Sequence, residues 1–390
     1  MLRDIKKHSS MPLAPLVGAR TLFQKRRLEI RGDGWAPEAP EVYPQVTPWG
    51  VAFLIFLFGA SMQGIGKLPW WEDETPAILR ASISAAKTKI KSNKPFLTTF
   101  AKHSAVVCVY LSNKLECTLP TGVSQQETYL LLESAFDATP SYAELLEPPP
   151  KRWSADGSPN SASARVQLQQ HMKALRFLCY DCKPGEQPLT VEMVKTAHKL
   201  LMSGATTSDG TVLTAGEYRS SAAHSGTGYI YPSPTVIGCK VPEILDAFNN
   251  RTEGTDIVVA AAKLMYDMVT LHPFQDGNGR LCRLLVSYAL MAAGEPFPVP
   301  LHDGHHKCRQ HYNHVLVHAD HHLYTGKLAA FILDCLHFKW HNALTLLELE
   351  VACKVTTYDI IAEGASGLRS HDHRRRWGRR FVSGNAFCFT

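Results

Sequence analysis

Apolar residues recur with helical spacing through most of the chain after residue 97. Two early sets each fall on one helix face: Phe100, Val107, Leu111 and Leu115, then Leu168, Met172, Leu175 and Cys179. Residues 191–202 form a further periodic stretch, with Thr190 as its N-cap and Gly204 after its end. Residues 256–271 are almost wholly apolar, which indicates a buried helix, and residues 278–293, 310–320 and 327–349 predict three more. The body of the chain is therefore predicted to be mainly α and to form a single domain.

Residues 212–238 have a different pattern, in which aromatic and β-branched residues alternate with breakers. The apolar positions are Tyr218, Tyr229, Ile230, Tyr231 and Val236, and the breakers are Gly226, Gly228, Pro232 and Pro234. Such a pattern predicts a hairpin or an extended flap.

Three stretches are predicted to lie outside the helical body. Residues 1–90 are a poorly specified N-terminal segment, residues 130–164 are a polar, Pro- and Ser-rich insertion, and residues 350–390 are a basic tail. Residues 49–66 contain an apolar run that is shorter than the roughly 17–25 residues of a bilayer span. A weak membrane anchor and a buried or loosely ordered segment are both open, and the length favours the second.

Composition excludes two classes of protein. With 390 residues, 45% of them apolar and 19% charged, the chain is not predominantly disordered, and its mean hydropathy of -0.12 excludes a polytopic membrane protein. The net charge of +6 comes from residues 1–31 and 369–380, so no nucleic-acid partner is expected for the folded body. The Arg374–Arg380 run is read as a disordered extension, with nuclear import or binding to an anionic surface as the alternative.

Cysteine usage favours a reducing compartment, and we expect an intracellular, cytoplasmic protein. Ten cysteines in a chain of this length do not indicate a dense disulfide framework. Cys179 and Cys182 form a CxxC pair, but no second pair stands at zinc-finger distance, so chance spacing is favoured over a metal or redox site.

Between the buried helix at 256–271 and the helix that follows it lies a loop that combines several chemical groups. Pro273 prevents the first helix from continuing, and Gly277 and Gly279 permit close backbone approach at the start of the next. A helix N-terminus of this kind binds anions, because its amides and the positive end of its dipole point at one spot.

Charged and titratable side chains surround this predicted anion site. Arg280 and Arg283 are three residues apart on one helix side, and Asp276 is placed to hold Mg²⁺ against phosphate oxygens. His272 supplies a base that titrates near neutral pH. Together these groups are typical of a site that transfers a phosphoryl or nucleotidyl group.

Residues 272–283 match the complete Fic (Fido) signature HxFx[DE]GNGRxxR, and the chain resembles this family over roughly residues 97–345. The resemblance implies a mainly α fold, a Fic-type helical core with a short β-hairpin flap. It also implies a protein adenylyltransferase (AMPylator), which transfers AMP from ATP to a Ser, Thr or Tyr hydroxyl of a target protein.

The resemblance assigns a role to each matching residue. His272 would take the proton from the target hydroxyl, and Asp276 would hold Mg²⁺, with Mn²⁺ as an alternative. The phosphates would be bound by Gly277, Asn278, Gly279, Arg280 and Arg283. Tyr312 and more weakly Asp320 would lie near the adenine. The target chain would be bound by the flap residues Tyr218, Arg219, Tyr229 and Tyr231.

A second motif implies regulation. Residues 112–117 resemble the family's inhibitory helix [ST]xxxE[GN], predicted here over residues 100–117, although Cys117 replaces the usual Gly or Asn. Ser112 and Glu116 share a helix face. The resemblance implies that Glu116 docks on Arg283 and blocks productive ATP binding, and in some members the same Glu supports removal of AMP.

Several alternatives stay open at the level of sequence. The chain could be a Fic-fold phosphotransferase with another donor, or a catalytically silent nucleotide-binding interaction module, and it could form a homodimer. Eight histidines lie between His302 and His322, and His314, His318 and His322 have a spacing that would suit zinc, although a solvated helix face is favoured.

Overall fold

The computed structural model describes residues 76–120, 123–137, 153–154, 161–206, 211–225, 229–301 and 308–365, with some side chains at the edges of these ranges left out. Ten α-helices lie within these ranges: α1 (Pro76–Ile90), α2 (Lys94–Leu115), α3 (Gln125–Asp137), α4 (Ser161–Arg176), α5 (Val191–Met202), α6 (Ile237–Asn249), α7 (Ile257–Leu271), α8 (Asn278–Ala292), α9 (Cys308–His322) and α10 (Gly326–Ala365). A π-helical turn (Phe177–Asp181) extends α4, and a 3₁₀ turn (Pro234–Val236) precedes α6. Two short parallel strands, β1 (Trp153–Ser154) and β2 (Ala205–Thr206), pair with each other. The predicted mainly α fold is confirmed.

Helix α8 lies at the centre of the core. Every residue from Arg280 to Leu290 is buried, which explains why this helix has apolar residues on all sides. It packs against α7, while α10 packs against α1 and α7, and α2 packs against α3 and α4. Because its two arginines also lie inside the protein, α8 brings charge into the core only where partners are present.

Two helices that flank the site begin at side-chain caps, of which Thr190 was predicted from the sequence. Thr190 caps α5 by accepting a hydrogen bond from the Met193 amide at 3.2 Å. Asp256 caps α7 through the amides of Val258 at 2.8 Å and Val259 at 3.3 Å. These caps fix where the helices that flank the site begin.

Three predicted boundaries differ from the structure. The N-terminal segment was predicted to reach residue 90, but α1 begins at Pro76 and buries Leu79, Ile83 and Ile90 against the body. The insertion at 130–164 is narrower, because residues 130–137 belong to α3, whose Leu132 is buried, and residues 161–164 begin α4. The tail boundary at 350 falls inside α10, which continues to Ala365.

The flap is less regular than predicted. Its described residues take part in two isolated bridges, Val212 with Thr206 and His224 with Ile230, and contain no named strand. The Ser225 amide donates to the Tyr229 carbonyl at 2.8 Å, and the Tyr231 amide donates to the Ala223 carbonyl at 3.1 Å. Pro232 and Pro234 have no N–H group, so the ladder ends there.

The apolar run at residues 49–66 lies outside the described residues. Among the helices that are described, none has both the length and the apolar character that crossing a bilayer requires.

Candidate active site

The loop between α7 and α8 is built by its own side chains. α7 ends before His272, whose backbone is left-handed with φ of 50°, and α8 begins after Gly277, whose φ is 77°. The Asn278 side chain closes the loop, since its oxygen accepts from the Phe274 amide at 3.0 Å and its nitrogen donates to the Phe274 carbonyl at 2.8 Å. The buried side chain of Asn278 thus shapes the loop, and the phosphate-binding role that the resemblance implies for Asn278 stays a prediction.

His272 lies between the loop and the flap. Its ring stacks on Tyr231, with centroids 3.9 Å apart and planes at 18°, and Tyr229 packs edge-on against Tyr231 at 5.2 Å. Burial lowers the pKa of His272, with the Arg219 charge acting in the same direction, while the Val269 carbonyl and Asp276 oppose the shift. The imidazole is therefore neutral at physiological pH and able to accept a proton.

Arg219, which the family resemblance places among the target-binding flap residues, points inward. Its side chain is buried and donates to four backbone carbonyls: His272 from Nε at 2.7 Å, Ser221 from Nη1 at 2.9 Å, and Pro232 and Leu271 from Nη2 at 2.6 and 3.4 Å. The guanidinium thus joins both sides of the flap to the left-handed end of α7.

Tyr218 also faces the interior. Its ring contacts Phe274 at a centroid distance of 5.5 Å and lies under the ammonium group of Lys195 at 4.7 Å. Of the four flap residues predicted to bind a target, the structure brings Tyr229 and Tyr231 next to His272, while Tyr218 and Arg219 support the loop.

The two arginines of α8 have different surroundings. Arg280 is buried and donates from Nη1 to Gln167 Oε1 at 3.0 Å, and its Nη2 lies 3.6 Å from the Asp276 carboxylate. Arg283 donates from Nε to Ser112 Oγ at 2.7 Å, from Nη1 to the Tyr312 hydroxyl at 3.3 Å, and from Nη2 to Glu116 Oε1.

Glu116 therefore places a carboxylate at the N-terminus of α8. A Cβ atom on Gly279 would lie 2.9 Å from Glu116 Oε1, so the carboxylate is close to the helix backbone as well as to Arg283. Burial would raise the pKa of Glu116, but Arg283 outweighs it and holds that pKa below its usual value. Likewise, burial would lower the pKa of Arg283, but Glu116 and Tyr312 raise it. Both groups are charged at neutral pH, as an ion pair between α2 and α8.

Tyr312 and Asp320 reach the site from α9. Tyr312 is buried, and its hydroxyl accepts a hydrogen bond from Arg283. Burial raises the pKa of Tyr229, with the charge of Asp320 adding to the shift, which sets Asp320 beside the flap. Neither contact tests the predicted adenine site.

Sequence reasoning missed two buried polar residues. Gln167 of α4 holds Arg280, and His198 of α5 holds the 276–277 backbone. Burial lowers the pKa of His198 to about 4, so its ring is neutral. Both lie among apolar positions of their helices, and a polar residue on such a face is the one signal that could have indicated them.

The loop provides one carboxylate for a divalent ion. The Asp276 side chain is 44% exposed, its Oδ1 accepts from the Gly277 amide at 2.6 Å, and its Oδ2 faces Arg280. Among the described side chains no group of three or more His, Cys, Asp or Glu is arranged to hold a metal. A single accessible carboxylate fits Mg²⁺, which takes one or two protein carboxylates and completes its shell with phosphate oxygens and water. His314 and His318 are among these described side chains, whereas the side chain of His322 is not.

This helical fold, with its loop before α8 and its buried arginine pair, defines a Fic-type protein. The Fic/DOC family model matches residues 188–290. A Fido domain-containing protein of Dictyostelium discoideum is 32% identical over 146 residues, which are 36% of this chain and 99% of that protein. The chain belongs to the Fic/DOC (Fido) family.

Other relatives are named protein adenylyltransferases. Fic-1 of Caenorhabditis elegans is 30% identical over 125 residues and Fic of Aedes aegypti is 33% identical over 121 residues; these are 32% and 31% of this chain. The chain spans about a quarter of the length of these relatives, 23% of each.

Solved structures share the fold. A Fic domain containing signaling protein from Bacteroides thetaiotaomicron has a TM-score of 0.53 at 22% identity, over 68% of this chain and 98% of that one. A fragment of C. elegans Fic-1 has a TM-score of 0.51 at 20% identity, over 69% and 72%.

Proposed function

We propose that this chain is an autoinhibited, Mg²⁺-dependent protein adenylyltransferase that transfers AMP from ATP to a hydroxyl of a target protein. The observation that carries the proposal is the contact of Glu116 with Arg283 at the start of α8. A buried arginine at a helix N-terminus, partnered by a carboxylate from another helix, is an anion site held by an internal anion.

The proposed chemistry needs one proton transfer and one substitution at phosphorus. His272, neutral and stacked on Tyr231, accepts the proton of the target hydroxyl. The hydroxyl oxygen then bonds to the α-phosphorus, and the bond from that phosphorus to pyrophosphate breaks. Arg283, once Glu116 has left it, and Arg280 stabilise the negative charge on the departing group. When bound at Asp276, Mg²⁺ supplies charge neutralisation for the phosphate oxygens.

Support for transfer to a protein comes from the flap. Tyr229 and Ile230 are exposed at 38% and 69%, and Ile230 forms an isolated bridge with His224. An extended segment of this kind, next to His272, is suited to bind another chain in extended form.

Self-labelling tests the proposal. The full chain and a Glu116→Gly variant are incubated with Mg²⁺ and ATP labelled at either the α- or the γ-phosphate. We expect the protein to acquire label from the α-phosphate, at least tenfold more in the Glu116→Gly variant than in the unaltered chain. A double variant that also carries His272→Ala should acquire none. Label from the γ position, or none in the Glu116→Gly variant, would show that the proposal is wrong.

A matched control separates loss of the carboxylate from loosening of α2. Lys114 is exposed and lies in the same last turn, so Lys114→Gly introduces the same backbone freedom while keeping Glu116. We expect this variant to label no more than the unaltered chain. If Lys114→Gly labels as strongly as Glu116→Gly, the carboxylate is not the inhibitor.

A further inference from the structure

His198 makes two hydrogen bonds that fix its tautomer. It lies on α5, with 3% of its surface exposed. Its Nδ1 accepts from the Gly216 amide at 2.9 Å, and its Nε2 lies 2.8 Å from the Asp276 carbonyl oxygen. An amide N–H can only donate, so Nδ1 is the unprotonated nitrogen, and the ring proton on Nε2 donates to the Asp276 carbonyl.

The ring also packs tightly against the loop. His198 stacks on Phe274 with a centroid distance of 3.8 Å and an angle of 9°. A Cβ atom on Gly277 would lie 3.4 Å from His198 Nε2 and 2.8 Å from the sulfur of Met202. No side chain fits between the loop and α5, so the backbone at Gly277 rests directly on this helix.

One peptide unit connects His198 to the carboxylate of Asp276. The carbonyl that His198 holds and the Gly277 amide belong to the same planar group. That amide donates to Asp276 Oδ1 at 2.6 Å. Fixing the carbonyl therefore fixes the direction of the N–H, and the N–H in turn holds the carboxylate.

The other side of the ring reaches the start of the flap. Gly216 has a φ of 86° and comes two residues before Tyr218. His198 thus ties the beginning of the flap segment to the loop that carries Asp276, through two separate ring nitrogens.

We propose that His198 is a positioning residue that orients the Asp276 carboxylate toward the metal ion of a bound nucleotide. This inference rests on the proposed function, since it takes Asp276 to be the metal ligand. Groups that orient a metal ligand typically affect metal affinity or activity by about 10- to 100-fold.

Three substitutions separate the two hydrogen bonds. His198→Gln can place an amide nitrogen near the position of Nε2 and so keep a donor for the Asp276 carbonyl. His198→Asn can place an oxygen near Nδ1 and so keep the acceptor for Gly216. His198→Phe keeps the stacking on Phe274 and loses both bonds. Glu192→Gln, an exposed position on the same helix, is the matched control.

The readout is calorimetric binding of a non-hydrolysable ATP analogue, with and without Mn²⁺, in a Glu116→Gly background. The dissociation constant without Mn²⁺ divided by that with Mn²⁺ gives the factor by which the metal raises the affinity for the analogue. We expect His198→Phe and His198→Asn to lower this ratio about tenfold. His198→Gln and Glu192→Gln should stay within about threefold of the parent, and binding of the metal-free analogue should change little in any variant.

Each outcome is decisive. Equal ratios for His198→Asn and the parent would overturn the positioning role while leaving the proposed function intact. A parent that binds the analogue equally well with and without Mn²⁺ would overturn both. If His198→Phe does not fold, the comparison of His198→Gln with His198→Asn still decides, because each retains one of the two bonds.

Discussion

Replacing Glu116 by Gln should raise the affinity for ATP far more than the affinity for ADP. The substitution keeps the size of the side chain and removes its charge, so the charge-assisted bond to Arg283 Nη2 is lost. In the proposed function this bond competes with the γ-phosphate, which ADP lacks.

The expected magnitude follows from the exposure of the pair. A hydrogen bond to a charged group contributes about 1.5–3 kcal/mol. Glu116 is 36% exposed, whereas Arg283 is 6% exposed, so solvent screens one partner and the low end of that range applies. A loss of about 1.5 kcal/mol corresponds to roughly a tenfold gain in ATP affinity.

Calorimetric titration of ATP and ADP, both with Mg²⁺, measures the difference. We expect about a tenfold lower dissociation constant for ATP in Glu116→Gln and less than a threefold change for ADP. Glu133→Gln is the control, because Glu133 is 38% exposed and pairs with Lys102 instead of with α8. An equal gain for both nucleotides, or no gain for ATP, would refute the competition.

Three more expectations follow. Burial lowers the pKa of His272 below 6.5, the usual histidine value. The rate of AMP transfer by the Glu116→Gly variant should therefore fall only as the pH drops through a midpoint below 6.5. A midpoint above 6.5 in the pH–rate profile would contradict the role of His272 as the base. Arg219→Lys keeps the charge but loses at least two of the four hydrogen bonds to carbonyls. Urea denaturation should therefore show a free energy of unfolding that is lower by about 2–4 kcal/mol. An unchanged free energy of unfolding would mean that these hydrogen bonds do not hold the flap. Cys117 has a left-handed φ of 57°, a conformation that glycine adopts without strain. Cys117→Gly should therefore raise the free energy of unfolding by about 0.5 kcal/mol and weaken self-labelling. A lower free energy of unfolding would show that the contact of Arg309 with the Cys117 sulfur outweighs the backbone strain.

The sequence predicted the helices that carry the loop because their signals are local. Thr190, Asp256 and Gly277 mark starts, and the apolar positions repeat with the helical period. α1 was missed although Leu79, Ile83 and Ile90 have that period as well, because the surrounding residues of the N-terminal segment gave no reason to separate it.

The directions of polar side chains could not be predicted in the same way. Arg219 resembles a target-binding residue in the sequence, yet it turns inward because the left-handed backbone at His272 leaves carbonyls that need donors. Asn278 and His198 are likewise used by backbone groups that come close only in three dimensions.

In the proposed function, the anchoring of α2 limits how the chain could be switched on. Phe100, Val106 and Val109 have no exposed surface, so pulling the whole helix away would open the protein interior. At its end the Glu116 amide bonds the Ser112 carbonyl at 3.4 Å and Cys117 leaves the helical conformation, whereas Ser112 in the last turn is buried against Arg283. In the proposed function, an activator has to release the last turn of α2, which breaks the contacts of both Glu116 and Ser112 with Arg283.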